Sequence, residues 1–394
     1  MSAHLEAVPV GGPLLTRPFK VLLGIAGIGG ILLLWRFLAG LGPVTGLNDG
    51  YAWGIWIAFD VVTGTALGCG GYAVAILVYI LNRGQYHPLV RPAVLTSALG
   101  YSMAAFAIVV DVGRYWWIYR IPLRFWQWNL NSALLEVALC VMAYVIVLWL
   151  ELAPAFMEKW KEEAPLPFLQ SLSRTFYPIL NKLMVFIVAL GLLLPTMHQS
   201  SLGTVMLLAG HKLHALWNTP LIPLLFLVSV IAMGYAVVVL EGSLAAHFFR
   251  RKKETEMLGR LSGVLVGVLI LFLVLRFLDL AVRGVLGALF TAGWLSLFFW
   301  LETALFVAPL AMLASRERRM DGVCQFRAAV LMLLAGALYR FNSYLVGFNP
   351  GEGFAYFPTV PEMFITFGIV ALEIILYIVI VKRFPILAGA PQKA

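Results

Sequence analysis

The sequence predicts an all-α, polytopic integral membrane protein, and three observations carry that prediction. Mean hydropathy is +0.92 and only 12% of residues are charged, which is more apolar than a soluble domain of this length sustains. Apolar runs long enough to cross roughly 30 Å of hydrocarbon occur about ten times. The Lys and Arg residues between them are sorted by loop, as they are when alternate loops face opposite sides of a bilayer.

The expected spans, in order, are 19–41, 53–81, 93–119, 129–152, 176–199, 221–248, 260–281, 291–315, 326–347 and 361–384. The first carries Arg36, and the second carries Asp60. The third ends in Asp111, Arg114 and Tyr115, spaced to share one helical face. The fourth enters through "WQWNLNSALLE", which puts Glu136 about 10 Å deep by helical rise. It leaves at Glu151, read as a solvated end-of-helix carboxylate. The fifth closes on His198, and the sixth holds Glu241 among small residues. The seventh carries Arg276 and Asp279, the eighth Glu302, the ninth Arg340 and the tenth Glu373.

Of the 28 Lys and Arg residues, about 20 fall at the ends or in the even loops, including the run "RRKK" at 250–253. The odd loops hold Arg120, Arg124, Lys212 and Arg283, and four more arginines lie within the expected spans. Both termini are therefore expected in the cytoplasm and the odd loops in the periplasm, in a bacterial inner membrane. The net charge of +9 reflects those loops and membrane lipids rather than nucleic acid. The first residues have no basic stretch leading into an apolar core, so no signal peptide is expected. Cys69, Cys140 and Cys324 are scattered without a CxxC spacing, too few for an iron–sulfur cluster in this chain.

A faint repeat relates the halves. "LEVAL" around Glu136 matches "LETAL" around Glu302, and an Asp/Arg pair sits in spans 3 and 7. The domain expectation is a single membrane domain: a cytoplasmic tail (1–18), one four-helix bundle over 53–199, a second over 221–347 and a last helix over 361–384.

Ionisable residues inside a bilayer are costly, so each is a functional candidate. By the expected depths, Asp60, Asp111, Arg114, Tyr115 and His198 gather near the periplasmic ends of spans 2–5. Glu136, desolvated and without a basic neighbour in its own helix, suits proton handling, as does Glu241 from the cytoplasmic side. Three of the six histidines lie in "PTMHQSSLGTVMLLAGHKLHALW", 195–217. The stretch between His198 and His211 is about 16 Å long as a helix, half a membrane, and follows Pro195. It reads as a re-entrant or surface segment and not as a haem-binding helix, and no metal site is expected. Aromatic clusters "YAWGIW", "YWWIY" and "FWQWN" crowd the periplasmic entrances. They suit an interfacial belt or a flat lipid-soluble ring such as a quinone. Residue chemistry alone stops at a redox or proton-linked ligand site on that side.

The strings "LNDGYAWGIWIAFDVVTGTALGCGGYA", "NRGQYHPLVRPAVLTSALGYS", "VVDVGRYWW", "LPTMHQSSLG" and "FNPGEGFAYFPT", in this order over almost the whole chain, resemble the NrfD/polysulfide reductase membrane-subunit family, and within it the membrane subunits of hydrogenase-2 type nickel–iron hydrogenases. The resemblance implies a haem-free, quinone-reactive anchor without catalytic residues of its own, working with menaquinone or ubiquinone. It implies as partners a periplasmic ferredoxin-like four-cluster iron–sulfur subunit and the small and large hydrogenase subunits. It also points to Glu136 and Glu241 as acids of functional interest and to the Asp60, Asp111, Arg114, Tyr115 and His198 region as the quinone site. Two other readings stay open at this point: the membrane subunit of a molybdenum-dependent polysulfide- or tetrathionate-type reductase, and a proton-coupled carrier without a redox role.

Overall fold

The computed structural model describes residues 7–388 except 52, 252 and 253. His4, both lysines of the "RRKK" run and the start of the expected N-terminal tail therefore lie outside the described residues. Among the described residues, ten helices are long and apolar enough to cross a membrane: α1 (Arg17–Ala39), α2 (Trp56–Ile80), α3 (Gly84–Asp111), α4 (Ala133–Trp160), α5 (Pro167–Leu208), α6 (Ile222–Phe248), α7 (Thr255–Val282), α8 (Trp294–Met312), α9 (Gly322–Val346) and α10 (Val360–Arg383). Among the described residues, extended pairing is confined to the isolated bridges Ala7–Ala388 and Leu213–Phe348. The chain is an all-α multi-pass membrane protein.

Local chemistry sets the helix starts. The Ser132 hydroxyl accepts from the Leu135 amide at 3.3 Å and opens α4, and the Asp321 carboxylate accepts from the Val323 and Cys324 amides at 3.2 and 3.1 Å to open α9. Thr359 and Glu362 cap α10 reciprocally, with a proline in its first turn. α2 is irregular: π-helical at Trp56–Thr63 and again at Ile76–Ile80, with a turn at Gly68–Cys69 between. Such wide turns inside helices are frequent at functional sites.

Helices α2, α3, α4 and α5 contact one another around a closed ring, and α6, α7, α8 and α9 do the same. The rings meet where α6 packs on α2 and α5 and where α9 packs on α2. α2 and α6 are consequently the most buried spans. α1 and α10 pair outside the rings. Gly29 and Gly368 let their backbones touch, since a Cβ at Gly29 would lie 2.7 Å from the Gly368 Cα. This pair rests on α3 and α2 over a small separate core that includes Trp56, Val110 and Ile365. The outward faces carry exposed Leu38, Val185, Phe186 and Leu297, as lipid contact requires.

Three boundary expectations fail, each for a visible reason. α5 does not end at 199; it runs through "HQSSLGTVMLL" to Leu208, 42 residues in all. Pro195 removes one backbone bond, yet the helix carries on past it, as membrane helices tolerate; the hydroxyls of Thr196, Ser200, Ser201 and Thr204 each donate to the carbonyl four residues back, which keeps these polar groups satisfied inside the helix. The segment read as re-entrant is thus helical as far as Leu208. α3 stops at Asp111 because Val112 turns extended (φ −72°, ψ 123°), so Tyr115–Trp117 is a separate 3-10 turn outside the span. α4 starts at Ala133 and continues to Trp160, which leaves Glu151 well inside the helix and not at its end.

Since ten spans alternate, the loops after α1, α3, α5, α7 and α9 share one face, called here the odd face, and the chain ends share the other.

Candidate functional site

A buried polar cluster lies in the first ring and is built from four helices. His198 of α5 is completely buried. Its Nδ1 lies 3.4 Å from the Tyr101 hydroxyl of α3 and 3.3 Å from the Gln199 amide nitrogen. That amide nitrogen also reaches the Thr65 hydroxyl of α2 at 3.1 Å and the Tyr101 hydroxyl at 3.3 Å. The Tyr101 hydroxyl is 3.4 Å from the Cys69 Sγ. Its ring stands edge-on to Tyr144 of α4 and to His198, with centroids at 4.5 and 5.5 Å.

An amide NH2 can only donate, so where Gln199 bonds to His198 the Nδ1 accepts and Nε2 carries the proton. His198 Nε2 and Gln199 Oε1 are both buried without a partner among the described residues. Each such group costs about 1–3 kcal/mol; a ligand carbonyl oxygen would satisfy the Nε2–H, and a ligand hydroxyl the Gln199 Oε1.

Arg340 enters this region from α9 and is fully buried. Its Nε donates to the Val62 carbonyl at 3.1 Å and its Nη1 to the Gly336 carbonyl at 3.2 Å, with Ser229 Oγ at 3.4 Å. Among the described residues no carboxylate pairs with it, and Nη2 has no partner. A guanidinium left uncompensated in the interior gives the cluster a positive potential, which favours negative charge developing on a ligand oxygen.

The other residues expected in this site are not brought together with His198. Asp60 of α2 is buried and turned to α10, where the Thr366 hydroxyl donates to its Oδ2 at 2.7 Å. Asp111 closes α3 with its Oδ1 buried and unpartnered. The expected shared face of Asp111, Arg114 and Tyr115 does not exist, because the helix ends at Asp111. Arg114 is exposed in the loop against Trp117, 5.6 Å from its ring centre. The cation beside Asp111 is instead Arg36 of α1, which is buried and donates to the Val110 and Val112 carbonyls at 2.6 and 2.8 Å. Tyr115 packs edge-on to Phe37 at 4.7 Å. No hydrogen bond or ion pair joins Asp60, Asp111, Arg114 and His198 to one another among the described residues.

Glu136 lies in the first turn of α4 and is half-buried. It is about 5 Å past the helix start, shallower than expected from an entry at 129. Glu241 of α6 is at the face of the chain ends, where the Tyr377 hydroxyl of α10 donates to its Oε1 at 2.6 Å. It lines a cavity of about 60 Å³ together with Arg251 and Glu254, room for a few waters. Burial pushes the Glu254 carboxyl up from the usual carboxylate value, and the Arg251 guanidinium holds it down.

In the second ring two carboxylates are paired. Glu302 accepts from Trp217 Nε1 at 2.8 Å and Asn342 Nδ2 at 2.7 Å and pairs with Arg276 at 3.4 Å, all four residues buried. Asp279 accepts from Thr219 at 2.6 Å and pairs with Arg283 at 2.6 Å.

Sequence reasoning placed Arg36, Arg276, Arg340, Glu302 and Glu373 inside spans without assigning them a site, and missed Tyr101, Gln199, Glu362 and Tyr377. Tyr101 and Gln199 gave a signal that was not used: each is a polar side chain inside a span, Gln199 next to the histidine already singled out.

The histidines do not fit a haem held between two imidazoles. His198 is the one described histidine in the interior of a span; His247 ends α6 at the opposite face, His87 is exposed in the first turn of α3, and His211 is exposed in the α5–α6 connection. His214 accepts from the Leu216 amide at 3.3 Å in the α5–α6 loop, where burial lowers it from the ordinary imidazole value. No group of three or more His, Cys, Asp or Glu among the described residues is arranged to hold a metal ion.

The family described as "Polysulphide reductase, NrfD" matches residues 43–347. The protein is 43% identical over 391 residues to the "Probable Ni/Fe-hydrogenase 2 b-type cytochrome subunit" of Escherichia coli (strain K12), covering 98% of this sequence and 96% of that one. It is 29% identical to the "Menaquinone reductase, integral membrane subunit" of Nitratidesulfovibrio vulgaris, over 79% of this sequence and 76% of the relative. It is 27% identical to a polysulfide reductase subunit of Wolinella succinogenes, over 60% and 75% respectively.

Proposed function

The chain belongs to the polysulphide reductase NrfD family, and from that premise we propose that it is the quinone-reactive membrane subunit of a respiratory hydrogenase. Electrons reach it from nickel–iron hydrogenase small and large subunits through a ferredoxin-like four-cluster iron–sulfur subunit on the odd face, and leave on menaquinone or ubiquinone. The chain sits in the bacterial inner membrane with both ends cytoplasmic, in agreement with its sorted positive charge. The halves represent two related four-helix bundles.

The observation that carries this reading is the buried donor set of Tyr101, His198 and Gln199 beside Arg340, with the His198 Nε2 left over. A quinone carbonyl needs such a donor, and its reduction develops negative charge that the guanidinium stabilises. The second ring also keeps buried unpartnered atoms, on Arg276, Tyr339 and Asn342, but its Arg276 is paired with Glu302, and among the described residues it has no interior histidine. In this reading the quinone lies among α2, α3, α4 and α5, as expected from the sequence. It is centred on His198, and Asp60 and Asp111 stand on the α10 side of α2 and α3. Arg114 and Tyr115 belong to the loop through which the ring enters. The near full-length likeness to the hydrogenase subunit favours that partner over a molybdenum-dependent polysulfide- or tetrathionate-type reductase, since the polysulfide reductase subunit is matched over a shorter stretch at lower identity.

Two protons are consumed per quinone reduced. We place their source on the side of the chain ends, entering at Glu241. Glu136, at the opposite face, is the acid placed to exchange protons there.

The test is the complex purified with its native partners. His198→Ala and Tyr101→Phe should lower quinone reduction by hydrogen about a hundredfold, while reduction of an artificial dye by hydrogen, which takes electrons upstream, continues. Normal quinone reduction in both assembled variants refutes the site. Failure of the wild-type complex to oxidise hydrogen refutes the hydrogenase reading.

A further inference from the structure

Helix α10 lies beyond residue 347, outside the stretch matched by the family, yet it carries a polar stripe that nothing in the family assignment explains. Thr366, Glu373 and Tyr377 are separated by seven and four residues. At 100° per residue they therefore stand on one side of the helix, spread over about 17 Å of its length. That side faces the protein: Thr366 is buried against Asp60 of α2 at 2.7 Å, and Tyr377 donates to Glu241 of α6 at 2.6 Å.

Glu373 sits between them. Its Oε1 lies in a notch where α2 and α3 meet backbone to backbone. A Cβ at Gly100 would be 3.4 Å from that oxygen and 3.2 Å from the Gly68 Cα. The notch offers Glu373 no side-chain donor, and among the described residues none forms a hydrogen bond with it. Its carboxylate and that of Asp60 are close enough to interact electrostatically. A second acid without a basic partner, one turn from a tyrosine that is itself bonded to a third acid, has no packing rationale; an apolar residue would suit a helix pair joined through Gly29 and Gly368 better.

We infer that α10 is the proton conductor of this subunit, with Glu373 as its middle carrier. The inference rests on the reading of the chain as a quinone reductase supplied with protons from the side of its ends. A proton enters the cavity lined by Arg251 and Glu254, binds Glu241, and passes by the Tyr377 hydroxyl to Glu373. From Glu373 it passes to Asp60, whose acidic oxygen is held by Thr366, and from Asp60 by water across α2 to the reduced quinone oxygen. The roughly 10 Å of helix between Glu373 and Thr366 is more than one hydrogen bond can span, so water bridges it. Each group regains its starting proton state after every transfer. Two passages accompany the two electrons delivered by the partner subunits. The route runs on the α10 side of α2 and does not use Glu136.

The test uses the purified complex with its native partners in proteoliposomes, with hydrogen as donor and a short-chain menaquinone as acceptor. Glu373→Gln and Tyr377→Phe keep the side-chain shapes; copurification of the partners reports assembly. Glu373→Gln should slow quinone reduction about a hundredfold and abolish the membrane potential, Glu373→Asp should restore part of both, and Tyr377→Phe should lower both. Wild-type rates and potential in assembled Glu373→Gln and Tyr377→Phe complexes overturn the inference and leave the quinone site standing. A wild-type complex that reduces quinone without generating any potential overturns the proton-coupled reading on which the inference rests.

Discussion

At the scale of single residues, the membrane interior sorts charges into those already satisfied and those held open. Glu302 is of the first kind. Its two oxygens take bonds from Trp217, Asn342 and Arg276. Removing its charge strands a buried guanidinium, which costs about 3–5 kcal/mol when one partner of such a pair is deleted. Glu302→Gln should therefore lower the thermal unfolding midpoint of the complex without selectively slowing quinone reduction. An unchanged midpoint would show that the pair is not needed for stability. His198 is of the second kind, and as a lone interior imidazole it bears on the cytochrome name of the Escherichia coli relative. A dithionite-reduced spectrum of the complex should lack a stoichiometric b-type band; one that vanishes in His198→Ala would contradict this. The sequence made His198, Asp60 and Glu241 legible because an ionisable residue in an apolar run stands out. It could not show which acid meets which base. Asp111 was matched with Arg114 by spacing along one helix, whereas its cation, Arg36, comes from a helix 75 residues earlier, and such long-range pairing leaves no local pattern.

At the scale of elements, hydropathy located every span but misjudged ends where polar or aromatic residues blur the boundary. Pro195 and the following hydroxyl-rich stretch read as a break, yet α5 runs on to Leu208, its hydroxyls satisfied on the carbonyls one turn back. At the end of α3 the error had the opposite sign: apolar, aromatic "YWWIY" looked like membrane and is a turn at its surface. The α1–α10 pair was legible as two peripheral spans but not as a pair, because contact through Gly29 and Gly368 involves no distinctive side chain. Gly29→Leu would thrust a side chain onto the α10 backbone and draw Arg36 away from the Val110 and Val112 carbonyls that it holds at the end of α3. Overpacking of this kind costs about 1–3 kcal/mol, so the unfolding midpoint should fall. Gly24→Leu should leave it unchanged, since a Cβ there meets nothing within 4 Å. Equal midpoints for the two variants would mean that α1 and α10 are not locked by that contact.

At the scale of the whole molecule, the question is which face receives electrons and which supplies protons. The observed helix ends sharpen the charge argument. Arg114 leaves the span and joins the odd-face loops, so of the four arginines expected inside spans three remain there, Arg36, Arg276 and Arg340, all buried. The odd face then holds Arg114, Arg120, Arg124, Lys212 and Arg283, and the remaining Lys and Arg, the large majority, cluster at the chain ends and the loops beside them. Retention of positive charge on the cytoplasmic side is the basis of the proposed orientation. In that orientation the aromatic loop at 115–128, with Trp116, Trp117, Phe125 and Trp126 exposed, would lie at the outer surface and the Glu241 cavity at the inner one. The cysteines allow a direct check. Cys69 and Cys140 are buried, while Cys324, near the start of α9 on the face of the chain ends, is only partly covered. A membrane-impermeant maleimide should therefore label the native chain in inverted vesicles and not in right-side-out ones. A cysteine introduced at Asn131, exposed in the loop before α4, should show the reverse preference. Labelling of both positions from one side would break the alternation of the ten spans. Exchange of the two preferences would keep the fold and invert the molecule, moving the Glu241 cavity to the outer surface and with it the source of the protons.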